Sequence, residues 1–267
     1  MKLHTAKKSM GQNFLKSAEA LRAMCTASEL TDKDIVLEIG PGKGALTEKL
    51  LEKANKVIAI EKDRDLIEIL KEKLPSYISS GKLVLIEDDI LEFNPSDHGL
   101  KAGQYKIVAN IPYNITGAIL KKFLQLVPSP ISMTLLVQKE VAERIVARDG
   151  KESILSLSVK AYGQAKYVMK VAKRFFSPAP KVDSAIIHIG LISKGNFSNT
   201  DAESHFFEVI HAGFSHKRKY AKRNLESVGF AGSELDKMFE DLHINPQARA
   251  EDIPLSIWLA ISRQKKA

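Results

Sequence analysis

The stretch Ile35-Val-Leu-Glu-Ile-Gly-Pro-Gly-Lys-Gly44 runs from an apolar, β-rich segment directly into three closely spaced glycines, Gly40, Gly42 and Gly44. The apolar segment has the length and composition of a buried strand. Glycines after it let the backbone approach a ligand closely, and the helical pattern of residues 45–53 places a helix N-terminus beside them. The stretch therefore predicts the strand, loop and helix that open a nucleotide-binding α/β domain.

The alternation of strand and helix patterns continues along the chain, as is typical of βαβ units and a parallel sheet. Further strands are predicted at 57–60, 82–86, 105–109, 132–138, 167–171 and 184–189, with helices at 119–126 and 139–148 and one near 66–70 that ends before Pro75. Residues 193–200 are polar and indicate a linker, and the later pattern is helical with an N-cap at Asp201 or Ser204. We predict a doubly wound, Rossmann-like α/β domain over residues 1–193 and a small α-helical domain over residues 194–267.

The composition excludes several classes of protein. Of 267 residues, 44% are hydrophobic and 27% charged, as in ordinary soluble domains. No apolar run approaches the roughly 18–20 residues of a membrane span, and the basic N-terminus lacks the apolar core of a secretory signal. Cys25 is the one cysteine, which excludes an internal disulfide and a thiolate zinc cluster, and the seven histidines show no paired ligand spacing. We expect a cytoplasmic protein without a membrane segment or a structural metal.

The net charge of +8 and the pI near 9.3 favour a polyanionic partner. Residues 216–223 contain five cations, and further basic residues lie near the N-terminus. Any one such run equally fits a solvated helix face. As a hypothesis, we assign to RNA contacts the cations Lys7, Lys8, Lys181, Lys217, Arg218, Lys219, Lys222 and Arg223.

Acidic residues near the glycine loop have spacings that indicate a nucleoside cofactor. Glu61 lies 21 residues after Gly40, at the end of the second strand, where a carboxylate accepts hydrogen bonds from ribose hydroxyls. The loop 40–45 also satisfies the dinucleotide fingerprint, so by itself it fits a dehydrogenase as well as a methyltransferase. Glu38 favours S-adenosylmethionine, because an acid suits a sulfonium and an ammonium better than a pyrophosphate. Asp89, after the third strand, is placed to accept from the adenine amine or, alternatively, to cap a helix.

The tetrad Asn110-Ile-Pro-Tyr113 follows directly after the fourth strand. The exocyclic amine of adenine is a weak nucleophile because its lone pair is delocalised into the ring. The Asn110 side-chain oxygen and the Ile111 carbonyl can accept both amine hydrogens, and Pro112 fixes the backbone that presents them. Tyr113 offers a ring face on which an unpaired base stacks. Alone the tetrad would be an ordinary turn, but in a glycine-loop domain it predicts methyl transfer to an adenine amine, mainly by positioning.

These motifs resemble those of the ribosomal RNA adenine dimethyltransferases, nearly from end to end of the chain. Residues 8–15 are similar to the family's N-terminal signature, part of which helps to close over the cofactor. The resemblance implies that Asn13 and Leu15 are cofactor contacts. It also implies a class I methyltransferase fold, S-adenosylmethionine as cofactor and ribosomal RNA as partner.

The segment Phe176-Ser-Pro-Ala-Pro-Lys-Val-Asp-Ser184 resembles a family segment whose phenylalanine forms the second wall of the base pocket. The resemblance implies that Phe176 and Tyr113 sandwich a flipped adenine. The alternative is that Phe176 is a core aromatic beside Phe175.

Two branches of this family differ in their target. One dimethylates two adjacent adenosines in the 3′-terminal hairpin loop of small-subunit rRNA, and the other dimethylates one adenosine of large-subunit rRNA and confers macrolide resistance. Residues 180–185, 218–225 and 249–253 resemble the first branch more closely. This implies a monomer that acts on small-subunit rRNA within a pre-30S-like assembly intermediate. The large-subunit enzyme and a non-catalytic ribosome-assembly or transcription factor on the same fold remain alternatives.

Overall fold

The computed structural model of the protein describes residues 5–7, 10–226, 230 and 232–264. The chain divides into two compact units, Met1–Ala142 with Gln164–Ile192, and Glu143–Gly163 with Ser193–Ala267. Sequence patterns predicted a single boundary at residue 193, whereas this division groups residues 143–163 with the second unit. These residues pack with the second unit because the Glu152 amide donates to the Glu251 carbonyl at 2.7 Å and the Tyr162 hydroxyl donates to Glu203.

Strands and helices alternate through the first unit, and helices make up most of the second. The strands are β1 Phe14–Leu15, β2 Ile35–Ile39, β3 Lys56–Glu61, β4 Leu83–Glu87, β5 Tyr105–Asn110, β6 Ser132–Gln138, β7 Gln164–Val171, β8 Phe176–Ser177 and β9 Ser184–Gly190. The α-helices are α1 Ala18–Ala27, α2 Ala45–Leu51, α3 Arg64–Lys73, α4 Pro75–Ser79, α5 Thr116–Gln125, α6 Lys139–Val146, α7 Ile154–Lys160, α8 Thr200–Gly213, α9 Ala221–Leu225, α10 Gly232–Asp241 and α11 Leu255–Ser262. Short 3-10 helices span Pro95–His98, Tyr113–Ile115, Lys173–Phe175 and Ala250–Asp252.

Seven strands form one sheet in the order β4-β3-β2-β5-β6-β9-β7. Strands β4, β3, β2, β5 and β6 run parallel, whereas β9 is antiparallel to both β6 and β7. The direction of strand addition reverses between β2 and β5. In doubly wound sheets, ligands bind beyond the carboxyl ends of the strands at this point. A separate antiparallel pair, β1 with β8, aligns Phe14 with Ser177 and Leu15 with Phe176.

The predicted doubly wound sheet and all of its predicted strands are confirmed. The predicted break at Pro75 is also confirmed, since α3 ends at Lys73 and Pro75 begins α4. The predicted N-caps of the first helix after the linker are wrong. Asn199 caps α8 instead, because its side-chain oxygen accepts from the Ala202 amide at 2.8 Å. Asp201 and Ser204 lie inside the helix.

The core of the first unit explains why its central strands read as continuous apolar runs. Val36 of β2 and Val57 of β3 are fully buried, as expected when helices cover both faces of a parallel sheet. Leu50 of α2 packs in the same cluster. Leu15 and Phe176, from the short β1–β8 pair, also belong to it. The N-terminal segment is therefore attached to the core through Leu15 and its strand partner Phe176.

In the second unit, α8 packs closely against α11 where Gly213 meets Trp258. The Trp258 ring of α11 is fully buried. A Cβ on Gly213, the last residue of α8, would lie 2.2 Å from the nearest Trp258 ring atom. A glycine is required here by contact and not by backbone conformation.

We expect Gly213→Ala to destabilise the protein by about 1–3 kcal/mol, because the added methyl group must displace the buried Trp258 ring. Urea unfolding followed by circular dichroism measures the change. Gly232→Ala is the matched control in the same unit, since a Cβ there meets nothing within 4 Å. Equal stability of the two variants would contradict the observed packing of α11 on α8.

Candidate active site

A cavity of about 470 Å³ lies beyond the carboxyl ends of β2, β3, β4 and β5 in the first unit. Its wall is formed by the N-terminal segment 10–16, by residues from the four segments 38–46, 60–66, 88–91 and 110–115, and by Leu21 and Ser177. Of the predicted cofactor and catalytic residues, the cavity is lined by Asn13, Leu15, Glu38, Gly40, Gly42, Glu61, Asp89, Asn110, Ile111, Pro112 and Tyr113. Gly44 and Phe176 are not on its wall. The structure thus brings together most of the residues that the sequence singled out.

The glycine loop has left-handed backbone at positions where side chains would also collide. Gly42 has φ 57°, and a Cβ there would lie 3.0 Å from the Phe14 ring. Gly44 has φ 80°, and its Cβ would lie 2.8 Å from Leu70 of α3. Gly42 therefore lets the N-terminal segment lie against the loop, and Gly44 lets α2 start close to α3.

Glu61, at the end of β3, is oriented by two backbone amides. Its Oε1 accepts from the Asp63 amide at 2.9 Å and its Oε2 accepts from the Gly42 amide at 3.2 Å. Burial raises the pKa of Glu61, and these backbone hydrogen bonds partly oppose the shift. A carboxylate can accept about four hydrogen bonds, so about two acceptor positions remain for hydroxyl groups of a ligand.

Glu38 is the most unusual charged group of the cavity wall. Its side chain is 1% exposed, and among the described residues neither of its oxygens has a hydrogen-bond partner. Burial raises the pKa of Glu38 to about 8, and the charge of Glu61 adds to the increase. A buried carboxylate without a partner is costly, so this position suits a cationic ligand group.

Asp89 lies in the loop after β4 and has partners of its own. Its Oδ1 accepts from the Leu91 amide at 2.9 Å, and its Oδ2 forms an ion pair with Lys62 at 2.8 Å. The ion pair with Lys62 and the Leu91 amide hold the pKa of Asp89 below its usual value. The Lys122 ammonium donates to the Leu91 carbonyl at 2.6 Å and ties the same loop to α5. The alternative considered for Asp89 was a helix cap, but its carboxylate instead stabilises the turn at residues 90–92.

The tetrad at the end of β5 has its two polar side chains already fixed. Asn110 Nδ2 donates to the Asn13 carbonyl at 3.1 Å, which leaves Oδ1 as the atom available to accept a hydrogen bond. The Tyr113 hydroxyl lies 2.5 Å from Ser184 Oγ, and either group can donate. Burial raises the pKa of Tyr113, so its hydroxyl is neutral at physiological pH. The sequence did not reveal the contact with Ser184, because 71 residues separate the two.

The N-terminal segment 10–16 is fastened across the cavity by a carboxylate that the sequence analysis missed. Asp63 is 1% exposed; its Oδ1 accepts from the Lys7 ammonium at 2.6 Å and its Oδ2 from Gln12 Nε2 at 2.8 Å. Lys7 also pairs with Asp65 at 2.8 Å. In this structure Lys7 therefore holds the segment, whereas it was predicted to contact RNA. No local pattern in the sequence pairs residues this far apart.

Phe176 is buried in the core and not in the cavity wall. It is 4% exposed and packs in the same cluster as Leu15, its partner in the β1–β8 pair. Its neighbour Ser177 does line the cavity. The alternative interpretation of Phe176 as a core aromatic thus describes this structure, and its role as a second wall of the base pocket stays a prediction.

The remaining predicted RNA contacts differ in how available they are. Lys181, Lys217, Arg218, Lys219 and Arg223 are exposed. Lys222 forms an ion pair with Asp236 inside the second unit. Lys8 lies outside the described residues.

Two predictions concern features expected to be absent, a structural metal site and a membrane-spanning helix. Within residues 5–7, 10–226, 230 and 232–264, no group of three or more His, Cys, Asp and Glu side chains is arranged to hold a metal ion. Over the same ranges, no helix combines the length and the apolar character that crossing a bilayer requires.

Glu38 makes the stability of the ligand-free protein depend on pH. Its folded pKa, about 8, lies above its ordinary value of 4.5, so folding favours the protonated form. The contribution is complete below pH 4.5 and is lost as the pH rises through about 8. We expect Glu38→Gln to reduce this pH dependence of the unfolding free energy by on the order of a few kcal/mol.

Urea unfolding at a series of pH values tests this expectation. The exposed Glu87, changed to Gln, is the control. If Glu38→Gln and the unaltered protein lost stability equally over this pH range, Glu38 would not be the protonated buried group.

Comparison with known proteins identifies the family that the sequence motifs resemble. Residues 3–266 match the family described as Ribosomal RNA adenine dimethylase. The Ribosomal RNA small subunit methyltransferase A of Fusobacterium nucleatum is 37% identical over 257 residues, which cover 96% of each chain. The protein of that name from Dehalococcoides mccartyi strain CBDB1 is 40% identical over 254 residues, 95% of this chain and 86% of that protein.

Two crystal structures are similar over most of the chain. The 23S rRNA methyltransferase ErmE matches with a TM-score of 0.78 and 25% identity, over 94% of this chain and 98% of that one. A dimethyladenosine transferase from Plasmodium falciparum matches with a TM-score of 0.78 and 26% identity, over 92% of this chain and 94% of that one. The family match extends over nearly the whole sequence, and the chain therefore belongs to the ribosomal RNA adenine dimethylase family.

Proposed function

We propose that the protein transfers methyl groups from S-adenosylmethionine to the N6 amines of two adjacent adenosines in the 3′-terminal hairpin loop of small-subunit rRNA. The products are N6,N6-dimethyladenosines, formed in the cytoplasm during ribosome biogenesis. One observation carries the proposal: Glu38, Glu61 and the tetrad 110–113 line the same cavity. Relatives at 37% and 40% identity are named small-subunit methyltransferases, which supports this target.

The cavity wall fits S-adenosylmethionine, which supplies an electrophilic methyl group when bound. The buried carboxylate of Glu38 would hold a cationic group of the cofactor, which resolves its lack of a partner. Glu61 would accept from the ribose hydroxyls, Asp89 from the adenine amine, and Asn13 and Leu15 would cover the cofactor. A dinucleotide fits less well, because its pyrophosphate offers nothing that Glu38 could bind.

The tetrad would position the target base. Asn110 Oδ1 and the Ile111 carbonyl would accept the two hydrogens of the adenine amine, and Pro112 would keep them aimed inward. This pairing favours a pyramidal nitrogen whose lone pair is available for attack. Tyr113 would stack on the base, a contact worth about 1–3 kcal/mol. The chain needs no general base before transfer, because the cationic nitrogen can lose its proton to solvent afterwards.

Recognition of the rRNA would rest on cations of the second unit. Residues 215–220 form a fully exposed loop that includes Lys217, Arg218 and Lys219. Asn224 of α9 is 2% exposed. Its side chain connects α9 to the start of this loop by donating to the carbonyls of Gly213 and His216. Phosphate contacts of this kind position a protein on folded RNA without reading its bases. We propose a monomer that binds a pre-30S-like assembly intermediate.

The large-subunit activity is the second candidate, because the 23S rRNA methyltransferase ErmE shares the fold over 94% of this chain. The two candidates differ in their substrate and not in their chemistry. A non-catalytic factor on the same fold would need neither the hydrogen bond that orients Asn110 nor the Asn110 Oδ1 that this bond leaves available to accept.

Methyl transfer to purified ribosomal particles tests the proposal directly. We expect the protein with S-adenosylmethionine to form two adjacent dimethyladenosines in unmethylated small subunits, detected by mass spectrometry, and none in naked large-subunit RNA. Asn110→Ala should lower the rate at least about 100-fold, because it removes one of two positioned acceptors. Cofactor affinity should change far less, and it serves as the control for folding.

The outcomes separate the candidates. Methylation of large-subunit RNA alone would establish the second candidate. A normal rate for Asn110→Ala would contradict the mechanism, and no transfer to either RNA would favour the non-catalytic factor.

Charge reversal tests the RNA surface. Lys217, Arg218 and Lys219, changed together to Glu, should weaken binding to small subunits by at least about 10-fold and flatten its salt dependence, because phosphate contacts release counterions. Lys222 is left unchanged, since it pairs with Asp236. Filter binding at several salt concentrations measures the effect.

The matched control reverses three exposed lysines, Lys33, Lys53 and Lys101. They precede β2, β3 and β5 and so lie at the end of the sheet opposite the cavity. Equal loss of binding in both triple variants would show that total charge matters and not the loop 215–220.

A further inference from the structure

Ser184 is a buried polar residue whose side-chain hydroxyl contacts a residue of the candidate site. It is fully buried at the first position of β9, where it pairs with Gln138 of β6 and Val171 of β7. Its Oγ lies 2.5 Å from the Tyr113 hydroxyl. Neighbouring strands on both sides therefore fix the position of this oxygen.

The Tyr113 hydroxyl is the atom of the side chain farthest from the backbone. A hydrogen bond at this atom therefore fixes the direction in which the whole side chain points. Tyr113 also belongs to a 3-10 helix of only three residues, Tyr113–Ile115. Pro112 restricts the backbone at one end of the side chain. The hydrogen bond with Ser184 holds the other end, the hydroxyl.

We propose that Ser184 is a positioning residue that fixes the direction of the Tyr113 side chain, and so holds its ring beside the target base. The inference rests on the proposed function, since it assumes that an adenine stacks on Tyr113. It also gives a physical role to the end of the segment 176–184. That segment would contribute to the site twice, through Ser177 on the cavity wall and through Ser184 behind Tyr113.

The alternative is that Ser184 merely satisfies its own hydroxyl group, in which case its removal would affect stability alone. A double-mutant cycle distinguishes the two roles. Ser184→Ala and Tyr113→Phe each remove one partner of the same hydrogen bond while keeping the ring and the strand. Ser132→Ala is the matched control, because Ser132 is also buried and is the first residue of a strand in the same sheet.

We expect Ser184→Ala to lower kcat/KM for rRNA methylation by about 3- to 10-fold, the range for one hydrogen bond, and Tyr113→Phe to give a similar loss. The double variant should be no slower than the slower single variant. S-adenosylmethionine affinity should be unchanged, and Ser184→Thr, which keeps the hydroxyl, should recover most of the activity. Ser132→Ala should have full activity.

Each other result counts against the inference. If Ser184→Ala were as active as Ser132→Ala, or if the two single losses multiplied in the double variant, Ser184 would not act through Tyr113. Either result would leave the methyltransferase activity of the unaltered protein intact. Absence of methyl transfer by the unaltered protein would instead overturn the proposed function and this inference with it.

Discussion

The parallel pairing of β2 with β5 is the constraint on which the site depends. These strands are adjacent in the sheet although about seventy residues of chain separate them, with Ile35 opposite Tyr105 and Leu37 opposite Ile107. Their carboxyl ends therefore emerge side by side. The glycine loop after β2 and the tetrad after β5 then face one cavity with no further adjustment. Any slip in this register would move the glycine loop away from the tetrad.

The N-terminal segment completes this arrangement by connecting both halves. Its Asn13 carbonyl accepts from Asn110, on the substrate side. Its Gln12 amide donates to Asp63, two residues after Glu61, on the cofactor side. The same segment thus fixes the amide of the tetrad and covers the glycine loop. In the proposed function, binding of the cofactor and alignment of the substrate acceptor would be coupled through these hydrogen bonds.

The sequence predicted the parts of the molecule that depend on local patterns. The apolar runs revealed the sheet, and the positions of Glu38, Glu61 and Asn110 at or near the carboxyl ends of strands indicated the cavity. It did not predict β1 and β8, because two residues have no periodicity. Nor did it predict the contacts of Asp63 or Ser184, since each joins residues more than fifty positions apart. Lys7 shows this limit most clearly. Its charge suggested a contact with RNA, whereas in the structure its ammonium donates to Asp63.

The ligand-free site contains a destabilising group, the buried side chain of Glu38. A fully satisfied core would place a neutral residue there, since the carboxylate has no hydrogen-bond partner among the described residues. Natural proteins accept such local costs at functional sites, where the ligand supplies the missing interaction. A cationic cofactor would do so, and a neutral one would not. If Glu38 pairs with the sulfonium, the protein would gain more from the methyl donor than from the demethylated product; the ammonium is common to both. In that case the side chain that lowers the stability of the ligand-free protein would favour binding of the donor over the product.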